Sequence, residues 1–322
     1  MPARLTRYVQ KSGTHETLLA VSPFSDRVAW VSGAHGTILR TTDGGKTWKA
    51  FHTPSGDSLD FNTVYAINAK QAFVLSSGQG RQSRIYKTMD GGAHWIRKYM
   101  NLDTQLVWRC FSFWDADHGV GISDVQKGDF LMMFTLDGGE NWDRVPADSF
   151  PVPLPNERTV ASSPACLYTG WGQHAWFATT MGRVIRTNNY GNSWKMSFAH
   201  IAIGEDNIIN AILFHDGSNG LLFGETRQAP GVTVISQSSN SGKSWTEREP
   251  LALATPIASV SYVPDLFGPS LVAVGPRGAI FSRDNGLVWS VIDELNYSAV
   301  SFARRDAGWA VGANGVITKI TF

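Results

Sequence analysis

Thr41-Thr42-Asp43-Gly44-Gly45-Lys46-Thr47-Trp48 decides the fold, because the same phrase returns five more times along the chain. Thr88 to Trp95 and Thr135 to Trp142 repeat it closely, while Thr187 to Trp194, Ser238 to Trp245 and Ser282 to Trp289 repeat it loosely. The closing tryptophans stand 47, 47, 52, 51 and 44 residues apart, a period that belongs to solenoids, propellers and arrays.

Asp43 precedes two glycines, so its carboxylate can accept hydrogen bonds from the N–H groups of its own turn while Gly44 and Gly45 take positive φ at little cost. Gly36 to Thr41 alternates like a strand and Thr47 to Ala50 begins another, which makes the phrase a hairpin connection with Trp48 at a fixed place on the returning strand. The acid becomes Asn189 and Asn240 in the fourth and fifth copies. An amide oxygen still accepts those bonds, so charge is not what the turn needs. A turn lock plus a packing tryptophan outweighs a catalytic or metal-binding reading, and no residue of these turns is placed in a site.

Ahead of each phrase lie two further strand-like runs, such as Thr17 to Ser22 with Arg27 to Ser32, and Thr63 to Asn68 with Gln71 to Ser76. Helical periodicity is absent, so the chain reads as all-β, in four-stranded antiparallel units repeated as the blades of a β-propeller. Trp30 and Trp176 each stand 18 residues before a box tryptophan; Trp309 holds the same place, but the chain ends at Phe322 before a partner is reached. The last blade therefore lacks its outer strand. Arg4 to Gln10 can supply it by pairing with Asn314 to Phe322, with Tyr8 in the tryptophan's place. This gives seven blades in one domain over residues 1–322, and removing Pro2 to Gln10 is expected to be costly.

Apolar residues make up 43% of the chain and charged residues 17%, with 32 glycines and a net charge of +1, a balance that favours neither nucleic acid nor an anionic membrane as partner. No apolar run reaches membrane-span length, and Met1 to Ser12 lacks the apolar core of a signal peptide. The expectation is a soluble monomer, cytoplasmic as written and extracytoplasmic if a leader has been removed. Cys110 and Cys166 each stand eight residues before a histidine, His118 and His174. Side chains at one register on neighbouring sheets point in the same sense, so two free, buried thiols are expected. No spacing suggests a zinc site, and neither a metal nor a cofactor is expected.

Gly36-Thr37-Ile38-Leu39-Arg40-Thr41 with the first box, Ser112-Phe113-Trp114-Asp115-Ala116-Asp117-His118-Gly119, and Asp306 to Gly315 resemble the Asp-box, or bacterial neuraminidase repeat, propellers. Within that group the chain is similar to the photosystem II stability/assembly factor-like family. The resemblance implies a binding scaffold that helps assemble a protein complex; the box itself says little about activity, since sialidases, xyloglucanases, sortilin-like receptors and assembly factors share it.

A site is expected on the loops opposite the boxes, where the longest insertions are Ser55 to Phe61, Ser76 to Arg84, Ser123 to Asp129, Pro146 to Arg158, Ala199 to Asn207 and Glu225 to Gly231. The candidates there are Asp60, Trp108, Arg109, Asp124, Arg158, Asn207, Glu225 and Arg227, beside Glu157, with Trp108 as a flat platform for a sugar ring or peptide side chain. Ordinary channel-lining roles for Trp108 and Arg109, with solvated neighbours, compete with that reading and outweigh it. Two functions follow. A non-catalytic scaffold would recognise a protein or peptide across this loop face, and no catalytic phrase argues otherwise. A carbohydrate-active hydrolase or lyase would instead set Asp60, Asp124 or Glu225 against Arg109 or Arg158, gripping an acidic glycan. The sialidase Arg-Ile-Pro phrase is absent, and a xyloglucanase needs a second propeller.

Overall fold

The computed structural model describes residues 4–126, 128–145, 150–160, 166–199, 201, 207–226, 231–266 and 268–322, and the side chains of Asn207, Ile208 and Thr226 lie outside it. After β1 (Thr6–Lys11) come β2 (Leu18–Pro23), β3 (Ala29–Gly33), β4 (Ile38–Thr41) and β5 (Lys49–Phe51), then β6 (Phe61–Ala66), β7 (Ala72–Ser76), β8 (Arg84–Thr88) and β9 (Ile96–Met100). The third sheet holds β10 (Trp108–Phe113), β11 (Gly119–Ser123), β12 (Met132–Thr135) and β13 (Asp143–Val145). The fourth holds β14 (Leu167–Gly170), β15 (His174–Ala178), β16 (Arg183–Thr187) and β17 (Lys195–Phe198). The fifth holds β18 (Asn207–Phe214), β19 (Gly220–Thr226), β20 (Val232–Ser238) and β21 (Thr246–Glu247), with β22 (Leu251–Ala252) also on β20. Then follow β23 (Ser259–Tyr262), β24 (Leu271–Gly275), β25 (Gly278–Ser282) and β26 (Ser290–Asp293), and finally β27 (Tyr297–Arg304), β28 (Ala307–Gly312) and β29 (Val316–Thr321).

All seven sheets are antiparallel, and the chain is a seven-bladed β-propeller of four-stranded blades with only two short 3-10 turns among the described residues, Gly80–Gln82 and Ala313–Gly315. Two compact units make it up: residues 1–76, 84–97 and 254–322, and residues 77–83 with 98–253.

In the first unit the last sheet is completed from the start of the chain. β1 pairs with β29 over six residues, from Thr6 opposite Thr321 to Lys11 opposite Val316. Gln10, not Tyr8, replaces the box tryptophan's function: its Oε1 accepts from the indole N–H of Trp309 at 3.1 Å and of Trp48 at 3.2 Å, and its Nε2 donates to the Gly44 carbonyl at 3.0 Å. Tyr8 is 60% exposed on the outer edge, where no neighbouring sheet covers it. Trp30, Trp95, Tyr86 and Phe61 pack one inter-sheet core; Leu18, Val31, Trp309 and Ile317 pack the next.

The box works as a network of acceptors. Thr41 Oγ1 takes the Gly45 N–H at 2.8 Å, Asp43 Oδ1 takes the Thr47 N–H at 3.0 Å, and Asp43 Oδ2 takes the Thr47 hydroxyl at 2.7 Å. These bonds, the backbone N–H first, hold the Asp43 carboxyl down at about 2, and Asp90 and Asp137 are held there the same way. Asn189 and Asn240 accept the equivalent N–H of Ser193 and Ser244 at 3.0 and 2.9 Å, so the geometry survives loss of charge. Where the first glycine is replaced, Tyr190, Ser241 and Asn285 still adopt φ of 54°, 62° and 60°. Each gains a partner that offsets the strain: Asp115, the Gly217 carbonyl and Tyr262, respectively.

In the second unit Cys110 and Cys166 form a disulfide, with Cα atoms 6.6 Å apart, which corrects the expectation of free thiols. Cys166 precedes β14 and lies outside its ladder, so strand alternation does not aim it away from β10, and both sulfurs enter one core with Val120, Ile122, Phe177 and Trp194.

Candidate functional site

Within each of the first six sheets one end carries the box and the other carries the hairpin between the second and third strands. At the hairpin end, five of the seven innermost strands, all but β14 and β23, share a feature that strand periodicity alone does not announce. Their register slips by one residue just after the start, between Leu18 and Ala20, Phe61 and Thr63, Trp108 and Cys110, Ile209 and Ala211, and Tyr297 and Ala299. The extra residues are Leu19, Asn62, Arg109, Asn210 and Ser298, all partly exposed between buried neighbours. Such bulges re-aim a side chain that the ladder would otherwise fix. Sequence reasoning found Arg109 and missed the other four. Their signal is a large-variable-small triplet repeated at the strand start: Phe61-Asn62-Thr63, Trp108-Arg109-Cys110, Tyr297-Ser298-Ala299.

In the second unit Arg109 Nη2 pairs with Asp124 Oδ2 at 2.5 Å, and the two side chains keep 24% and 18% of their surface. The Arg109 Nε is buried without a hydrogen-bond partner. Ser77 Oγ donates to the Arg109 carbonyl at 3.2 Å, and Asp124 N–H donates to the Val107 carbonyl at 3.0 Å, so the strand start and the β11–β12 hairpin are tied together. Trp108 is wholly buried, its indole N–H donating to Tyr99 Oη at 3.1 Å with the rings edge-to-face. It is a packing residue, and the flat platform expected of it is not present.

Arg158 is exposed, with its N–H on Thr180 Oγ1 at 3.0 Å. Its neighbour Glu157 is buried in a fork formed by Arg183 Nε at 2.8 Å and Arg183 Nη2, and also accepts the Leu154 N–H at 2.7 Å and the Thr179 hydroxyl. Arg183 Nη2 reaches the Val152 carbonyl at 3.0 Å, so this pair fastens the Pro151–Arg158 loop rather than facing solvent. Glu225 Oε1 accepts the Gly231 N–H at 3.0 Å, spanning its hairpin. Asn207 opens β18 opposite Thr226, with its side chain outside the described part, and Arg227 lies outside the described residues altogether.

In the first unit Asp60 accepts the His35 N–H at 3.1 Å, and His35 Nδ1 meets Glu16 at 2.7 Å. The Glu16 hydrogen bond, then its charge, raise the pKa of His35, with Asp60 adding to the effect. Thus Asp60, Asp124 and Glu225 each hold a loop together. Among the described residues no group of three or more His, Cys, Asp or Glu side chains converges as metal ligands would, and no helix is long and apolar enough to cross a membrane.

A family model described as Photosynthesis system II assembly factor YCF48 matches residues 68–204, the stretch that contains Arg109, Asp124, Arg158 and the Glu157–Arg183 pair. The Photosystem II assembly lipoprotein Ycf48 of Synechococcus sp. (strain CC9902) is 35% identical over 174 residues, 53% of this chain and 46% of the relative. The Photosystem II stability/assembly factor HCF136, chloroplastic, of Arabidopsis thaliana is 23% identical over 324 residues, 94% of this chain and 64% of the relative. The chain thus spans less than two thirds of the length of either. Among solved structures, YCF48 from Cyanidioschyzon merolae has a TM-score of 0.72 at 17% identity, covering 98% of both chains. YCF48 bound to D1 peptide has a TM-score of 0.67 at 17% identity, covering 100% of this chain and 99% of that one. At such identity these two show the fold alone. In its boxes, its seven sheets, the stretch the family model matches and these relatives, the chain is similar to the photosystem II assembly factor-like β-propellers.

Proposed function

We propose that the chain is a non-catalytic assembly factor that holds an extended segment of a client protein against the hairpin ends of its sheets, as a photosystem II assembly factor would. The observation that carries this reading is the 35% identity to an assembly lipoprotein over 174 residues. The local chemistry agrees with it. Acids that a glycoside hydrolase would need free are engaged by N–H donors or by Arg109, while the bulged residues offer polar groups on rigid strand ends. Exposed Arg158 is the cation suited to an acidic side chain or a terminal carboxylate of the client, Arg109 being held by Asp124. Because one solved propeller of this fold is bound to a D1 peptide, a D1 peptide is the first probe. Calorimetric titration should give saturable binding that Arg158→Glu weakens at least about tenfold, as expected for reversing a charge opposite an anion. Folded protein that binds no D1 peptide, or that binds equally well as Arg158→Glu, refutes the reading.

A further inference from the structure

The outermost strand of every blade leaves a row of backbone groups unpaired on its free side, and such edges are protected in proteins by exposed charge. Six of the seven follow that rule: Arg7 on β1, Lys49 on β5, Arg97 on β9, Arg144 on β13, Lys195 on β17 and Glu247 on β21 are all exposed. β26 does not. Its one charge, Asp293, is buried against the Tyr297 hydroxyl at 3.0 Å and Arg7 at 3.5 Å, and its mid-strand Val291 is 58% exposed.

The box that leads into β26 departs from the others at the same place. In the five other copies the residue before the tryptophan is polar and bonds the box acid or amide: Thr47, His94, Asn141, Ser193 and Ser244. Here it is Val288, 67% exposed beside Leu287 at 61%. Asp284 keeps the N–H bonds of Leu287 and Val288, at 3.1 and 2.9 Å, and the Ser282 hydroxyl, so the turn stands without that side chain. Exposed apolar side chains stand on other outer strands as well, Val9 on β1 at 60% and Ile96 on β9 at 55%, but among the described residues this blade alone combines them with a missing exposed edge charge and an apolar residue before the box tryptophan.

We propose that the β26 edge is a second docking site, which takes an extended, uncharged segment of a partner protein as an additional strand with its apolar side chains over Val291, Val288 and Leu287. Main-chain bonds to a free edge supply affinity and alternate side chains supply selectivity in this mode. A lipid surface fits less well, because the nearby stretches of sequence carry as many acids, Asp265, Asp284 and Asp306, as cations, Arg283, Arg304 and Arg305, and Arg304 is paired with Asp306 at 3.2 Å. A second copy fits less well because the three aliphatic side chains offer on the order of 300 Å², well short of the ~800 Å² per partner of a stable interface. The chain already uses the mode on itself, since β1 is added to the last blade from the far end of the sequence.

The site lies at an outer strand rather than at the hairpin ends, so its test is independent of the proposed function. A capped synthetic hexapeptide of alternating threonine and valine is added to the full chain, and amide exchange is followed strand by strand. It should slow exchange at Ser290–Asp293 and leave β5 and β9 unchanged. Val291→Lys, which restores the missing edge charge at an exposed position, should weaken the effect at least about tenfold with the thermal midpoint unchanged. Val288→Thr, which restores the box hydroxyl, should weaken it without loss of stability. No slowing at millimolar peptide, equal slowing on other outer strands, or indifference to Val291→Lys overturns the proposal. So does slowing that rises with protein concentration alone, which assigns the edge to a second copy, or co-sedimentation with phosphatidylglycerol vesicles that Val288→Thr abolishes, which assigns it to lipid.

Discussion

Gln10 Oε1 accepts the indole N–H of Trp309 at 3.1 Å although 299 residues separate them, and the same oxygen accepts Trp48 at 3.2 Å. One amide thus ties the first strand of the chain to the last sheet and to the first. Gln10→Ala should leave the indole N–H of buried Trp309 and of partly buried Trp48 without an acceptor and cost at least about 1–3 kcal/mol, the penalty of one buried orphan. Deleting residues 4–11 should do more, because β29 becomes an open edge along its whole length. Urea unfolding of both variants measures the order; equal midpoints for the wild type and Gln10→Ala would remove this bond from the closure.

The boxes make stability depend on pH in the acid range. Asp43, Asp90 and Asp137 are held at about 2 in the folded protein, below the ~3.9 of an unfolded chain. A depressed folded pKa contributes stability that is complete above the unfolded value and is lost as pH falls through the window from about 4 to about 2. The urea midpoint should fall across that window. In the triple variant Asp43→Asn, Asp90→Asn, Asp137→Asn it should fall less steeply while the fold is kept, since Asn189 and Asn240 already serve in the natural boxes.

Much of this was legible because it depends on local chemistry. A box acceptor two residues after a threonine or serine, two residues that take positive φ and a tryptophan at a fixed offset specify the turn wherever they occur, and the missing box after Trp309 specifies how the chain closes. Other features depend on how sheets meet. Tyr8 and Gln10 are two residues apart on one strand, and only the register against Val316–Thr321 decides which one reaches the tryptophans. Glu157 reads as a mouth residue in the sequence, whereas Arg183, 26 residues on, holds it buried. Likewise the bulge at Arg109 and the Cys110–Cys166 bond follow from inter-strand register and from where β14 begins, which spacing alone does not state.

Glu157→Ala should be among the most destabilising changes at the hairpin ends. The carboxylate and its Arg183 partner are both almost wholly buried, and removing one member of such a pair costs about 3–5 kcal/mol by stranding the other charge. Limited proteolysis should then cut within Pro151–Arg158, and thermal unfolding gives the loss. Replacing the pair together with Glu157→Gln and Arg183→Met should recover part of it.

Reduction should also be visible in solution. A bond closing 56 residues contributes about 4 kcal/mol in the chain-entropy account. The urea midpoint should drop after unfolding and refolding in dithiothreitol, and Cys110→Ser with Cys166→Ser should show the same drop and no further response to the reductant. Unchanged midpoints would mean that the thiols are free.

The most direct test of the account is amide hydrogen exchange across the whole chain with and without a saturating D1 peptide. Binding at the hairpin ends predicts slowed exchange around Trp108–Cys110 and Asp124–Val125, with the box turns from Thr41 to Trp48 unchanged. Slowing confined to the box turns, or none anywhere in folded protein, would contradict it.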